Sequence, residues 1–450
     1  MTARSQTIGA TGAPLESAFL LRDQLASGEL SAEALVEKCI ARIALREDDV
    51  RAWVWFDAEA ARSQARRLDA HRASGGHLGP LHGLPVGLKD VIDTAGIPTQ
   101  NGCPLDKGRV PERDAFLVER LRAAGAIIMG KTVTTELAYF VPGKTRNPHD
   151  LGHTPGGSSS GSAAAVADGM VPLAVGTQTG GSVVRPASFC GVTGYKPTFG
   201  AIPRRGVLNQ SQTLDTLGVF AADPLSAAMA AEVLFGHDPA DSASSDAGAP
   251  VLLNGAQAGL NHAPRFAILR PPAWDRVEPE YREALAAFYA RLGAVGVDVG
   301  LPAVFETAEL QRRVVNFAEM AHNFRGYVDR DVTALGVATQ KAIEDGKSVS
   351  ACEYLAAVDC RGALNVALDE VFAAADAILC PAALGVAPDG LSSTGDSVMN
   401  GLWTMAGTPA ITLPLLTSKA GLPLGVQVVG RFGDDAGLLR VAHWLYAQMA

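Results

Sequence analysis

The sequence predicts an α/β chain with a mixed central sheet, and three observations predict it. Segments with apolar residues at helical spacing alternate with short apolar runs such as Ala126 to Met129 and Ala377 to Cys380, which are strand-length. Hydrophobic residues make up 48% of the 450, enough for a large core. The 48 Gly and 26 Pro are spread along the chain, which points to many loops between ordered elements.

Taken in order, Leu15 to Leu25 is a helix stopped by Ser27-Gly28. Ser31 is a good N-cap for a second helix with a Leu35, Cys39, Ile43 stripe. Ala52 to Phe56 reads as a strand and Ala58 to Ala73 as a charged surface helix. Lys89 follows in an apolar setting of Val86, Leu88, Val91 and Ile92. Burial would lower its pKa and make it a usable base; the alternative is a strand-end lysine that reaches solvent or pairs with Asp90. Asp114 to Ala124 is a helix and Ala126 to Met129 a buried strand. His149 and His153 sit in a Pro/Gly-rich loop with no third ligand in view, so no metal is expected.

The stretch from Pro155 to Pro197 is the most informative. Two Gly-Gly-Ser triplets, Gly156-Gly157-Ser158 and Gly180-Gly181-Ser182, flank an Ala-rich segment (Gly161 to Met170) and an apolar run (Val171 to Val175). That order reads as loop, buried helix, buried strand, loop. Glycine lets a backbone approach a ligand closely, and successive N–H groups in such a turn suit an oxyanion. A flexible linker is the competing reading, against which stand the interleaved apolar residues. A phosphate cradle is weaker, because neither GxxxxGK[ST] nor GxGxxG is present. The GxSxG pattern of Gly157 to Gly161 lacks a strand–elbow–helix setting and a downstream Asp–His pair.

Beyond it, Gly200 to Phe220 reads as loop, Pro224 to Phe235 as a helix and Gly236 to Pro264 as a linker. Phe266 to Leu269 reads as a strand and Pro279 to Leu292 as a helix. Helices are expected near 305–327, 331–345 and 350–373, strands at 377–380, 410–415 and 425–429, and a closing helix at 436–449.

These motifs resemble the amidase signature family. The carriers are Gly83 to Asp90, Gly156 to Gly161, Gly176 to Ser182, Arg185 to Gly191 with Lys196-Pro197, Thr213 to Gly218 and Gly421 to Gly430, in order over nearly the whole chain. The resemblance implies a single large α/β/α domain with a mixed, twisted sheet. Within 1–450 it would comprise a helical part (15–75), a catalytic core (76–235), a linker (236–264) and a part completing sheet and pocket (265–450). It implies a Ser–cisSer–Lys triad: Ser182 matches the nucleophile, Ser158 the bridging serine after a cis bond from Gly157, and Lys89 the base. Thr179, Gly180, Gly181 and Ser182 match the oxyanion hole, and Thr177 a threonine supporting the bridging serine. No cofactor or metal is implied.

Gln178 stands where many members have Asp. Arg185 lies three places after the matched nucleophile, with Val183-Val184 between, which looks like the malonamidase-type branch. There an arginine holds a substrate carboxylate; otherwise Arg185 bonds backbone carbonyls. The expected activity is hydrolysis of a small carboxylic amide through an acyl-enzyme. The alternatives are an amidotransferase component that releases ammonia within a complex, and a non-catalytic binder, against which the intact triad residues speak. The expected pocket draws on 133–144, 204–212 and 305–327.

A net charge of −9 argues against direct nucleic-acid or anionic-membrane contact. The six scattered cysteines, with no CxxC, read as reduced thiols. With no apolar leader at the N-terminus and no long apolar run, a cytoplasmic protein is expected. The expected partner set is a small-molecule amide and a second copy of the chain, as a homodimer.

Overall fold

The structure, a computed structural model, describes residues 7–10, 12, 15–245, 251–260 and 262–449. Eleven strands form one sheet: β1 (Trp53–Phe56), β2 (Pro85–Lys89), β3 (Ile127–Thr132), β4 (Leu173–Gln178), β5 (Thr193–Lys196), β6 (Thr216–Ala221), β7 (Phe266–Ile268), β8 (Gly296–Asp298), β9 (Ala377–Pro381), β10 (Ala410–Thr417) and β11 (Pro423–Val429). Their order is β1-β3-β2-β4-β6-β5-β10-β11-β9-β7-β8. The sheet is mixed: β2 runs parallel to β3 and β4, whereas β4–β6, β6–β5, β5–β10 and β10–β11 are antiparallel. This is a single α/β domain with helices flanking a large mixed sheet.

The local chemistry follows the sequence closely at the N-terminus. Ser31 caps the helix Ala32–Val50 by accepting from Ala34 N, and Asp57 does the same for Ala58–Ala73 through Ala60 N. Gly28 ends Ala18–Ser27 at φ 79°, which a residue without Cβ adopts at no steric cost. The central strands β2, β3 and β4 are buried along their whole length. That explains their continuous apolar reading, and each buried Val or Leu there contributes about 1.5–3 kcal/mol.

Four expectations need correction. Thr216–Ala221, expected as loop, is β6, a central strand bonded to both β4 and β5. Gly218 disguises it, yet a Cβ there would lie 2.6 Å from the Tyr195 carbonyl oxygen, so close strand packing requires the glycine. Thr193–Lys196 is likewise a strand, β5. Val184–Cys190 is a helix despite Pro186, which sits in its first turn, where the missing N–H costs nothing. Val398–Ala406 is a helix where none was expected.

Within the expected linker, Leu252–Gln257 is helical, and Arg440 of the C-terminal helix donates to the Gly255 carbonyl at 3.0 Å. Residues 246–250 and 261 of that stretch lie outside the described residues.

Candidate active site

Lys89 ends β2, fully buried, so no water can solvate its ammonium. Burial pulls its pKa down to about 7, opposed by the negative field of Asp215. Its Nζ lies 2.7 Å from Ser158 Oγ and 2.7 Å from Thr177 Oγ1. Two other lysines are equally buried, and their surroundings differ in kind. Lys131 Nζ donates to the Ile92 carbonyl and to Thr99 Oγ1, and Lys196 Nζ donates to the carbonyls of Pro197 and Thr408. A carbonyl can only accept, whereas a hydroxyl can also give its proton to a neutral amine. Lys89 alone of the three has only hydroxyl partners, so it is chemically suited to take a proton.

The Gly157–Ser158 peptide is cis. It precedes the short helix Ser160–Ala167, whose small side chains let it lie against β4. Ser159 and Ser162 tie this segment to the strand through the Thr177 and Val175 carbonyls. Thr177 touches Lys89, and the recorded bond is not to Ser158, so it orients the amine end of the pair and not the bridging hydroxyl.

Ser182 sits between β4 and the helix Val184–Cys190, 8% exposed. Its hydroxyl makes no hydrogen bond among the described residues, so the Ser158–Ser182 link is open; such contacts commonly tighten only around substrate. The loop is held from behind. Gln178 Oε1 accepts from Val183 N at 2.9 Å and Val184 N at 3.0 Å, while its Nε2 donates to Thr404 Oγ1 at 3.0 Å. Thr404 passes this on to the Gly180 carbonyl at 2.7 Å. An aspartate could accept but not donate, so the amide of Gln178 fits both sides. Thr179 Oγ1 donates to Asp215 at 2.5 Å, and burial raises the pKa of that carboxylate to about 6. Gly181 packs against Asn400, whose Oδ1 would be 2.3 Å from an added Cβ.

A pocket opens in front of Ser182. Tyr139 and Phe140 line it from one loop, Gln210 from another, and Arg312 and Asn316 from the helix Ala308–Asn323. All three expected pocket regions therefore meet at Ser182. Ser397, from beside the unanticipated helix, completes the wall. Arg185 is fully buried beneath it; its Nη2 donates to the Gly157 carbonyl at 2.7 Å, while Nε and Nη1 have no partner among the described residues. Both readings of this arginine thus find a physical basis: one nitrogen binds backbone and two are left over.

A fold with this sheet, a buried lysine on two hydroxyls and a glycine-backed serine in a pocket defines an amide-bond hydrolase class. The chain belongs to the amidase family: a family model described as "Amidase" matches residues 34–439. It is similar to the A component of the glutamyl-tRNA(Gln) amidotransferase of Anaeromyxobacter sp. (strain K), at 36% identity over 94% of both chains. It also resembles the corresponding component from Synechococcus sp. (strain CC9605), at 33% identity over 94% of both. Among solved structures it resembles peptide amidase from Stenotrophomonas maltophilia, with a TM-score of 0.83, 29% identity and 96% of each chain covered. A second neighbour comes from a study of a vestigial protein complex and the origins of an s-triazine catabolic enzyme; its TM-score is 0.89, with 28% identity over 96% of this chain and 98% of that one.

These relatives correct two expectations. The likeness does not single out a malonamidase-type branch, because curated relatives at 33–36% identity are amidotransferase subunits. The expected partner set, a small-molecule amide with a homodimer and no nucleic acid, is overturned by the same relatives, which are subunits of an enzyme named for a tRNA. Net charge misled here: it averages over the whole surface and says nothing about contacts made through other subunits. No helix among the described residues is long and apolar enough to cross a membrane.

Proposed function

We propose that this chain is the ammonia-releasing subunit of an amidotransferase-type complex. The observation that carries the reading is the end-to-end similarity to the ammonia-side components of such enzymes, over 94% of both chains. The site supplies the chemistry. Ser182 Oγ attacks the carbonyl carbon of the amide as its proton moves to Ser158 Oγ and that of Ser158 to neutral Lys89 Nζ. Backbone N–H groups of the Thr179 to Ser182 turn stabilise the oxyanion; one such donor is worth about 3–4 kcal/mol. Collapse breaks the C–N bond, and the nitrogen takes the proton back along the same path and leaves as ammonia. Water then cleaves the acyl-enzyme by the reverse relay. Arg185 holds the Gly157 carbonyl beside Ser158 and turns its remaining donors toward the amide's far end.

The test is purification of the chain from its own cells under gentle conditions, with ammonia release measured for the isolate and for the separated chain. Copurifying subunits, faster release in their presence and loss of release in Ser182→Ala are expected. A chain that copurifies with nothing and is fully active alone sinks the amidotransferase reading. Release that survives Ser182→Ala sinks the triad.

A further inference from the structure

The charges around the pocket do not balance. Two guanidinium groups line it, those of Arg185 and Arg312, and among the described residues no carboxylate does. Arg312 is held by Glu309 one turn earlier, which accepts from Nε at 2.8 Å and Nη2 at 2.6 Å. Its Nη1 is left on the pocket side, 3.4 Å from where a Cβ on Gly180 would stand. The arrangement is tight: a Cβ at Gly401 would lie 2.0 Å from Glu309 Oε2 and 2.7 Å from Arg312 Nε. Arg312 is thus fixed in place, and Asn316, one turn on, lines the same pocket.

Arg185 has no carboxylate partner among the described residues. Its bonds go to the Gly157 carbonyl and, at 3.4 Å, to Thr394 Oγ1. Asp396 acts on both arginines through space, but its Oδ2 takes Arg276 at 2.5 Å and its Oδ1 takes Val398 N at 3.0 Å. The pair Arg312–Glu309 is neutral and Asp396 is neutralised by Arg276, so one positive charge, that of Arg185, stays uncompensated in the pocket wall. The remaining polar wall groups, Tyr139, Gln210, Asn316 and Ser397, are neutral. A buried cation without a counter-charge is unfavourable, and an anion arriving beside it removes that cost. An ammonium arriving there meets two cations and no free carboxylate among the described residues.

We propose that the amide whose ammonia is released carries a carboxylate and no ammonium group, and that Arg312 is a determinant of this choice. The class is the monoamides of dicarboxylic acids and related ureido acids, and free amino-acid amides such as glutamine are disfavoured. The inference rests on the reading of the Ser182 pocket as the acylation site. Planar guanidinium groups at fixed positions suit a carboxylate, since each offers paired donors.

Matched pairs test it. Glutaramate and L-glutamine differ only by the α-ammonium, as do succinamate and L-asparagine, and butyramide is the neutral control. With the full chain, kcat/KM for each monoamide is expected to exceed that for its amino-acid partner by about tenfold or more. Arg312→Gln is expected to shrink the glutaramate-to-butyramide ratio by about tenfold, with partial recovery in Arg312→Lys. Binding to Ser182→Ala, followed by calorimetry, is expected to favour glutaramate over L-glutamine without any turnover. Equal or tighter binding of L-glutamine overturns the proposal, as does a ratio untouched in a folded Arg312→Gln. If nothing is hydrolysed but Ser182→Ala still prefers glutaramate, the acylation reading fails while the ligand class stands. If amides are hydrolysed and glutamine is preferred, the reverse holds.

Discussion

Lowering the pH is the most direct perturbation of the relay. Lys89 must be neutral to accept a proton, and burial brings its pKa to about 7. The neutral fraction is then about nine-tenths at pH 8 and about one-tenth at pH 6, so kcat/KM should fall roughly tenfold per unit below pH 7. Asp215 adds a second limb. Its carboxylate accepts from Thr179 Oγ1 and from the backbone N–H groups of Gln210 and Ser211. With a pKa raised to about 6, it protonates in the same acid range and loosens the turn behind Gly180. The profile should therefore steepen toward a slope of two below about pH 6. Lys196 also has a pKa of about 7, but its Nζ faces two carbonyls and does not line the pocket, so it is not expected to shape the rate. The assay is continuous ammonia release between pH 5 and 9, with the fold monitored at each pH. Lys89→Met should lose about 10²–10⁴-fold in kcat/KM along with the limb near pH 7. A flat profile down to pH 5, or an unchanged limb in Lys89→Met, would refute the assignment of Lys89 as the base.

Three further outcomes follow from the same geometry. Gln178→Ala leaves the buried Val183 and Val184 N–H groups without an acceptor; at about 1–3 kcal/mol each, a loss of about 3–5 kcal/mol is expected in denaturant unfolding, and a loss below about 1 kcal/mol would contradict it. Gly181→Ala places a Cβ 2.3 Å from Asn400 Oδ1, so the loop must shift and kcat/KM should drop about tenfold or more, measurable by steady-state kinetics. Stability should rise with pH above 7. Folded Lys89 and Lys196 release their protons near 7, whereas the unfolded chain holds them to about 10.4, so the unfolded state binds up to two more protons. The slope is up to about 2.7 kcal/mol per unit from pH 7 to about 8.5, above which unfolded cysteines begin to oppose it; Tm against pH measures this.

What could be read from the sequence depended on whether a residue's neighbours in space were also its neighbours in the chain. The caps Ser31 and Asp57 and the buried runs of β3 and β4 were legible because their signal is local. Lys89 drew attention because a charge inside an apolar run is locally anomalous. β6 was missed because Gly218 answers to Tyr195, which another strand supplies. Gln178 looked like a departure until Thr404 stood opposite its Nε2. Arg312 was invisible for a similar reason. It sits beside Arg313 on an amphipathic helix, where charged residues usually face water, and only Glu309 and Gly401 decide which of the two turns inward.

The strand order carries a consequence for how the molecule comes into being. β5 finds its outer neighbour in β10, more than two hundred residues later, and β10 in turn pairs with β11. During synthesis from the N-terminus, the triad residues emerge long before Ser397, Asn400 and Thr404, which back the serine turn. Until then β5 is an open edge, the kind that recruits stray strands. The nascent chain therefore meets its greatest risk of misassembly after its chemistry has been encoded and before it can be used. Such long-range closure also folds slowly. A chain cut anywhere before β10 would possess every matched triad residue and no working site.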